Sequence, residues 1–327
     1  MQMGGAGPNR AMTLDHWASY YRGGALVSCP VNAGLNYDQE VRDEWVTFFA
    51  ALPDGARILD IGTGNGAIAL IAKETGAERS RDFRVKAVDL AEIDPPKYVP
   101  DGAKLLAGIE FSGGVSTEAL PFEESGFDAI SGQYIVEYTD VPATLRECAR
   151  VLAPGGVCQF ILHHEDSIVV ANARESLHQA ARIRDETRLI AQFRRYCELL
   201  GESADRAEPA RQGFIAAGRE LEEEAGSSSN PLFLNFVLDS ITRLLENRQP
   251  LGRAGLLEQV DRLERVLAEW ASRLDDLVSA ALDASDMQRL AAEAEADGFQ
   301  DIAYELQMQG GATLVGWRLH MRRAALP

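Results

Sequence analysis

Three alternating glycines placed directly after an apolar run constrain this chain more than any other feature. The stretch Arg57-Ile-Leu-Asp-Ile-Gly-Thr-Gly-Asn-Gly-Ala67 predicts a buried strand ending in an acid, a sharp turn, and an apolar helix. Gly62, Gly64 and Gly66 let the backbone bend and bring a ligand against main-chain N–H groups, where a Cβ would collide. Asp60, at the end of the strand, can accept from a cationic or hydroxylated ligand. Gly62, Gly64 and Ala67 also fit the dinucleotide pattern G-x-G-x-x-G/A, so the glycines alone do not separate cofactors.

Four later segments do. Arg84 to Val88 is a second apolar strand closed by Asp89, with Leu90 following. Ser116-Thr-Glu-Ala-Leu-Pro-Phe122 comes next, then Phe127-Asp-Ala-Ile-Ser-Gly-Gln-Tyr134 as a fourth strand. Leu145-Arg-Glu-Cys-Ala-Arg-Val-Leu-Ala-Pro-Gly-Gly156 is a helix and turn entering a fifth strand, Val157 to Leu162. In this order the five segments resemble class I S-adenosylmethionine (SAM)-dependent methyltransferases. A dehydrogenase has no need of the Arg-Val-Leu-x-Pro-Gly-Gly turn. The resemblance implies SAM as cofactor, with Asp60, Gly62, Thr63, Gly64, Gly66, Asp89, Leu90, Ser116, Thr117, Gln133 and Tyr21 around it. It implies that Asp89 accepts the ribose hydroxyls, that Leu90 packs on adenine, and that the Ser116 segment holds the adenine edge. That segment usually opens with an aspartate. Ser116 accepts only as a weaker neutral partner.

The fold expected is α/β: a doubly wound, mostly parallel seven-stranded sheet with an antiparallel last strand, and a large all-helical insertion between strands 5 and 6. Residues 1–12 are expected to be a disordered leader and 13–52 a helical extension or lid. Residues 53–164 form the SAM-binding core, 165–283 the insertion, and 284–327 the return to the core. The return comprises a helix over Asp286 to Asp297 and strands over Ile302 to Met308 and Thr313 to Met321. The insertion reads as helical, broken at Gly201, at Gly226 to Asn230 and at Gln249 to Gly252, with Ile168 to Leu200 a single long candidate. Leu256, Val260, Leu263, Leu267, Trp270, Leu274, Leu277 and Ala281 alternate by four and three, the spacing of one apolar seam. Such helices can cover the carboxyl edge of the sheet as a lid, pair across a two-fold axis as a homodimer interface, or do both.

Composition narrows the partners. The 327-residue chain carries a net charge of −18 without a dense basic run, which argues against nucleic acid. No apolar run approaches the roughly 20 residues of a membrane span. Four separated cysteines, Cys29, Cys148, Cys158 and Cys197, without C-x-x-C, fit a reducing cytoplasm and give no sequence-evident metal site. The fourth strand lacks the Asn/Asp-Pro-Pro-Tyr/Phe loop of amino-group methylases, and Asp94-Pro-Pro-Lys97 stands after the wrong strand, where it reads as a stiff loop.

Methyl transfer from a sulfonium is an in-line displacement, and positioning supplies about 7–11 kcal/mol of such a barrier in favourable cases. A hydroxyl nucleophile also needs a base. His163 and His164, at the end of the fifth strand, are the candidates; adjacent strand residues face opposite ways, so one of the two is expected to face substrate. Glu137, Tyr134 and Gln133 stand next, with Glu137 equally suited to cap the following helix. Trp17, Tyr20 and Tyr21 would line the entrance from the N-terminal extension. The function expected is methylation of a small or medium organic molecule, at oxygen. The alternatives are N- or C-methylation of a metabolite or peptide, and a non-catalytic SAM-binding interaction module.

Overall fold

A computed structural model describes residues 15–27, 36–37 and 39–325. The leader expected over 1–12, and Cys29, lie outside them. The described chain falls into two compact units. One runs to His164 and resumes at Leu282; the other is Glu165–Ala281.

The first unit begins with α1 (Asp15–Arg22) and α2 (Gln39–Ala50). The sheet then opens with β1 (Arg57–Ile61), α3 (Ala67–Glu78) and β2 (Arg84–Val88). Two single-turn helices follow, α4 (Pro95–Tyr98) and α5 (Gly102–Leu105), and then β3 (Ile109–Ser112). After β4 (Phe127–Gln133), a 3-10 turn at Val136–Tyr138 leads to α6 (Val141–Val151) and β5 (Leu152–Leu162). The Asp94-Pro-Pro-Lys97 stretch is thus the entry to α4, whose proline start suits a helix first turn.

Alternation along the strands sends side chains to two faces. Ile58 and Val85 join a cluster with Trp45 and Phe49 of α2 and Ile71 of α3, while Leu59, Ile61 and Val88 join one with Leu145 of α6. Each such fully buried side chain contributes about 1.5–3 kcal/mol. The sheet order is β3-β2-β1-β4-β5-β7-β6. β1 to β5 are parallel, and β7 lies antiparallel between β5 and β6. The seven-stranded, mostly parallel sheet expected from the sequence is the one observed.

The second unit holds α7 (Ile168–Ala181), α8 (Leu189–Glu198), α9 (Ala204–Ser227), α10 (Leu232–Glu246) and α11 (Arg248–Ala280). Ile168 to Leu200 is not one helix. A π-turn at Arg182–Glu186 widens it, the Arg182 carbonyl accepts from Thr187 N–H at 3.0 Å, and Arg188 takes a positive φ of 52°. A left-handed residue cannot continue a helix, so α8 starts afresh. The break expected at Gly252 is a kink, φ 63° and ψ 178°, inside α11. Leu256, Val260 and Leu263 of the α11 seam are buried in this unit's own core with Phe193, Leu221 and Phe233.

The chain returns to the first unit through α12 (Ala284–Ala296), β6 (Phe299–Gln309) and β7 (Thr313–Arg323). Asp283 and Asp286 close a reciprocal capping box at the start of α12. No helix among the described residues is long and apolar enough to cross a membrane.

Candidate active site

The glycine bend follows β1 at the carboxyl edge of the sheet, and its hydrogen bonds tie it to β2. Thr63 N–H donates to the Val88 carbonyl at 3.0 Å, and Gly64 N–H to Asp89 Oδ2 at 2.8 Å. Gly62 and Gly64 have φ of 59° and 53°. A Cβ on Gly62 would lie 2.3 Å from Ile135 Cγ1, and one on Gly64 2.7 Å from the Tyr21 ring. Both the backbone conformation and the space therefore demand glycine.

Two buried carboxylates flank the bend. Asp60 Oδ2 accepts from Thr63 Oγ1 at 2.6 Å, and Oδ1 from Ser131 Oγ at 2.7 Å. Ser131 stands beside Asp60 because β1 and β4 pair in that register. Asp89 Oδ1 accepts from Ala91 N–H at 2.8 Å. Burial pushes Asp60 up to about 7 and Asp89 up to about 6, against the lowering effect of these hydrogen bonds. Two acids held near neutrality gain from a cationic or donor-rich ligand that satisfies their charged forms.

α1 docks on the bend. Asn65, fully buried, donates through Nδ2 to the carbonyls of Tyr21 at 2.9 Å and Ala25 at 2.7 Å. Tyr21 and Ala18 pack on Ala91 beyond β2, with Trp17 and Tyr20 alongside. Trp17 and Tyr21 stack at 6.0 Å, as four-residue helical spacing allows. Tyr20 Oη donates to the Val27 carbonyl at 2.8 Å.

A cavity opens here, lined by Tyr21, Asp60, Gly62, Thr63, Gly64 and Gln133 among the expected residues, and by Leu26, Tyr37, Asn65, Ala67 and Ile68 beyond them. Asp89, Leu90, Ser116 and Thr117 do not line it. Leu90 is 42 % exposed beside buried Asp89. Ser116 Oγ accepts from Glu118 N–H at 3.2 Å, and buried Thr117 shares a hydrogen bond of 3.0 Å with Thr144 of α6. Gln133 projects from the end of β4. Its Oε1 accepts from Trp45 Nε1 at 2.6 Å, while Nε2 is buried without a partner.

The residues after β4 and β5 form a second group. Tyr134, at φ 56°, stacks on His163 with ring centroids 4.0 Å apart, and its hydroxyl donates to the Val315 carbonyl at 3.0 Å. Glu137 does not cap α6. Asp140 does, accepting from Ala143 N–H at 3.0 Å, and Glu137 instead accepts from His163 N–H at 2.8 Å. Nor does His163 titrate near neutrality: burial drives it down to about 3, and both ring nitrogens lack partners. Burial pushes Glu137 up to about 8, which favours its protonated form at pH 7. His164 turns the other way and stacks on Trp317 at 4.6 Å. The His163 ring meets Tyr138, Tyr138 meets Trp17, and Trp17 stacks on Tyr21, so His163 is the histidine on the α1 side.

Part of this chain resembles known proteins. Residues 59–160 match the family model of a methyltransferase domain. The ubiquinone biosynthesis O-methyltransferase of Xanthomonas oryzae pv. oryzae (strain PXO99A) is 38% identical over 109 residues, 31% of this chain and 41% of that protein. The enzyme of the same name from Bordetella avium (strain 197N) is 29% identical over 118 residues, 36% of this chain and 46% of that protein. The crystal structure of a SAM-dependent methyltransferase from Mesorhizobium loti is 26% identical, covers 37% of this chain and 54% of that one, and superposes with a TM-score of 0.30. The chain thus spans less than half the length of these two curated relatives. The stretch matched, residues 59–160, is similar to a methyltransferase domain, which implies SAM as the cofactor.

The residues present fit that cofactor. An ammonium suits Asp60 and a carboxylate suits the unpartnered Gln133 Nε2, both of which line the cavity. Asn65, Ser131 and Trp45 carry no site signal in the sequence, because their contacts join positions far apart along the chain.

Proposed function

We propose that the chain is a SAM-dependent methyltransferase acting on a small or medium organic molecule, at oxygen. The observation that carries this reading is the pair of buried acids, Asp60 and Asp89, on either side of a glycine bend that admits no side chain. The names of the Xanthomonas and Bordetella relatives favour oxygen.

When bound, the cofactor supplies a methyl group on a sulfonium. The residues do the rest. Asp60 and Asp89 hold polar groups at the carboxyl edge of β1 and β2, and Tyr21 of α1 packs against Gly64 in the bend. His163, neutral and with free ring nitrogens, accepts a hydrogen bond from a hydroxyl at any physiological pH. A polar substrate beside it offsets part of the burial that suppresses its basicity. Cys148, Cys158 and Cys197 are free and buried, which suits a reducing compartment such as the cytoplasm.

The test is incubation with SAM and a panel of phenols and other hydroxylated acceptors, following S-adenosylhomocysteine. Turnover on at least one acceptor is expected, and Asp89→Ala should abolish cofactor binding by calorimetry. Absence of binding heat for the unaltered protein sinks the reading. Binding without turnover on the whole panel points to a SAM-binding interaction module, and full turnover in His163→Ala to methylation that needs no histidine.

A further inference from the structure

Trp45 is fully buried in the face cluster of α2, yet its indole carries one polar atom that needs a partner. Nε1 is a donor and nothing else. The side-chain atom of Gln133 at 2.6 Å must therefore be the carbonyl oxygen, since the opposite amide orientation would set two donors face to face. This fixes the amide. With Oε1 committed to the indole, Nε2 has no partner, although Gln133 is only 8 % exposed and lines the cavity with Asp60, Gly62 and Gly64.

A buried amide N–H without a partner costs about 1–3 kcal/mol. The cavity also offers the Asp60 carboxylate as an acceptor, so it presents one acid and one amide donor. That pairing is the complement of an amino-acid end, an ammonium with a carboxylate. We infer that Trp45 is a positioning residue that locks the Gln133 amide so that its N–H group reads the carboxylate of the cofactor's amino-acid moiety. The inference rests on the SAM reading proposed above. It assigns a specific task to α2, which lies outside the residues matched by the family model.

Calorimetry with two ligands tests it without any turnover. S-adenosylhomocysteine carries the amino-acid end; 5′-methylthioadenosine keeps the adenosine and sulfur but lacks that end. Trp45→Phe retains the ring and removes the indole donor, and is expected to weaken S-adenosylhomocysteine about tenfold while leaving methylthioadenosine unchanged. Gln133→Glu still accepts from Trp45 but has no N–H to offer, and should weaken S-adenosylhomocysteine by more than tenfold with the same indifference to methylthioadenosine. Equal losses for both ligands in Trp45→Phe would make Trp45 a packing residue only and overturn the assignment. So would unchanged affinity for both. Should Trp45→Phe melt below the working temperature, the Gln133→Glu pair of affinities decides alone. Failure of the unaltered protein to bind either ligand removes the SAM reading itself, a result distinct from the other two.

Discussion

Glu137 is a carboxyl held neutral by its surroundings, and this makes the stability of the protein depend on pH in a definable direction. One oxygen accepts from His163 N–H; the other has no partner, and burial pushes the group from 4.5 up to about 8. An unfolded chain releases this proton near 4.5, whereas the folded one keeps it to about 8. The stabilisation is therefore complete below 4.5 and lost as pH rises toward 8, with a total on the order of 5 kcal/mol. His163 acts in the opposite sense and on the other side. Its folded value of about 3 means that stability falls as pH drops below 6.5. Glu137→Gln keeps the acceptor for His163 N–H and removes the charge. Thermal melts at pH 5 and pH 8.5 should show the variant gaining at the alkaline pH and nearly unchanged at the acid one. Equal shifts at both pH values would mean that Glu137 is not the titrating group.

At the scale of elements, one side chain ties α1 to the glycine bend, alongside the packing of Tyr21 and Ala18 on Ala91. Asn65 donates to the carbonyls of Tyr21, in the last turn of α1, and of Ala25, just beyond it; Gly24 N–H also reaches the Tyr21 carbonyl, at 3.0 Å. Asn65→Ala removes both bonds and should cost about 1–3 kcal/mol. Hydrogen exchange over residues 15–27 should accelerate in the variant while β1 and β4 stay protected; uniform acceleration across the sheet would assign Asn65 to global stability instead. The same side chain shows why some of the site was legible in the sequence and some was not. Gly62, Asp60 and Asp89 follow from local rules: strand end, tight turn, buried acid. Asn65 sits inside the same motif, but its partners lie 44 and 40 residues away, and no periodicity announces a contact of that kind. Trp45 and Gln133, 88 residues apart, are equally silent. Among elements, β3 is only four residues with one buried side chain, too short for an alternation to register. The division of Ile168 to Leu200 escaped for a different reason: Arg182 and Thr187 are ordinary helix residues, and only the left-handed Arg188 betrays the break.

For the whole molecule, the chain path predicts that the helical unit is separable. The chain leaves the sheet at His164 and returns at Leu282, and these two residues form a β-bridge. Leu282 N–H donates to the His163 carbonyl at 2.9 Å, and Trp317 Nε1 to the Leu282 carbonyl at 3.1 Å. The exit and return points are therefore fastened together by bonds within the first unit. Closing a short loop there costs little, since loop entropy varies only with the logarithm of length. Each unit also has its own buried core. Replacing Glu165–Ala281 by a short Gly-Ser linker should leave a protein that melts cooperatively and shows dispersed amide resonances. Stopping the chain at Ala281 should not, because β7 pairs along β5 from Val157 to Leu162 and its loss turns a central strand into a bare apolar edge. If the linked core is unfolded, the sheet needs the helical unit for stability. If it folds and still binds S-adenosylhomocysteine, cofactor recognition belongs to the first unit alone, and the inserted helices serve the acceptor or another task.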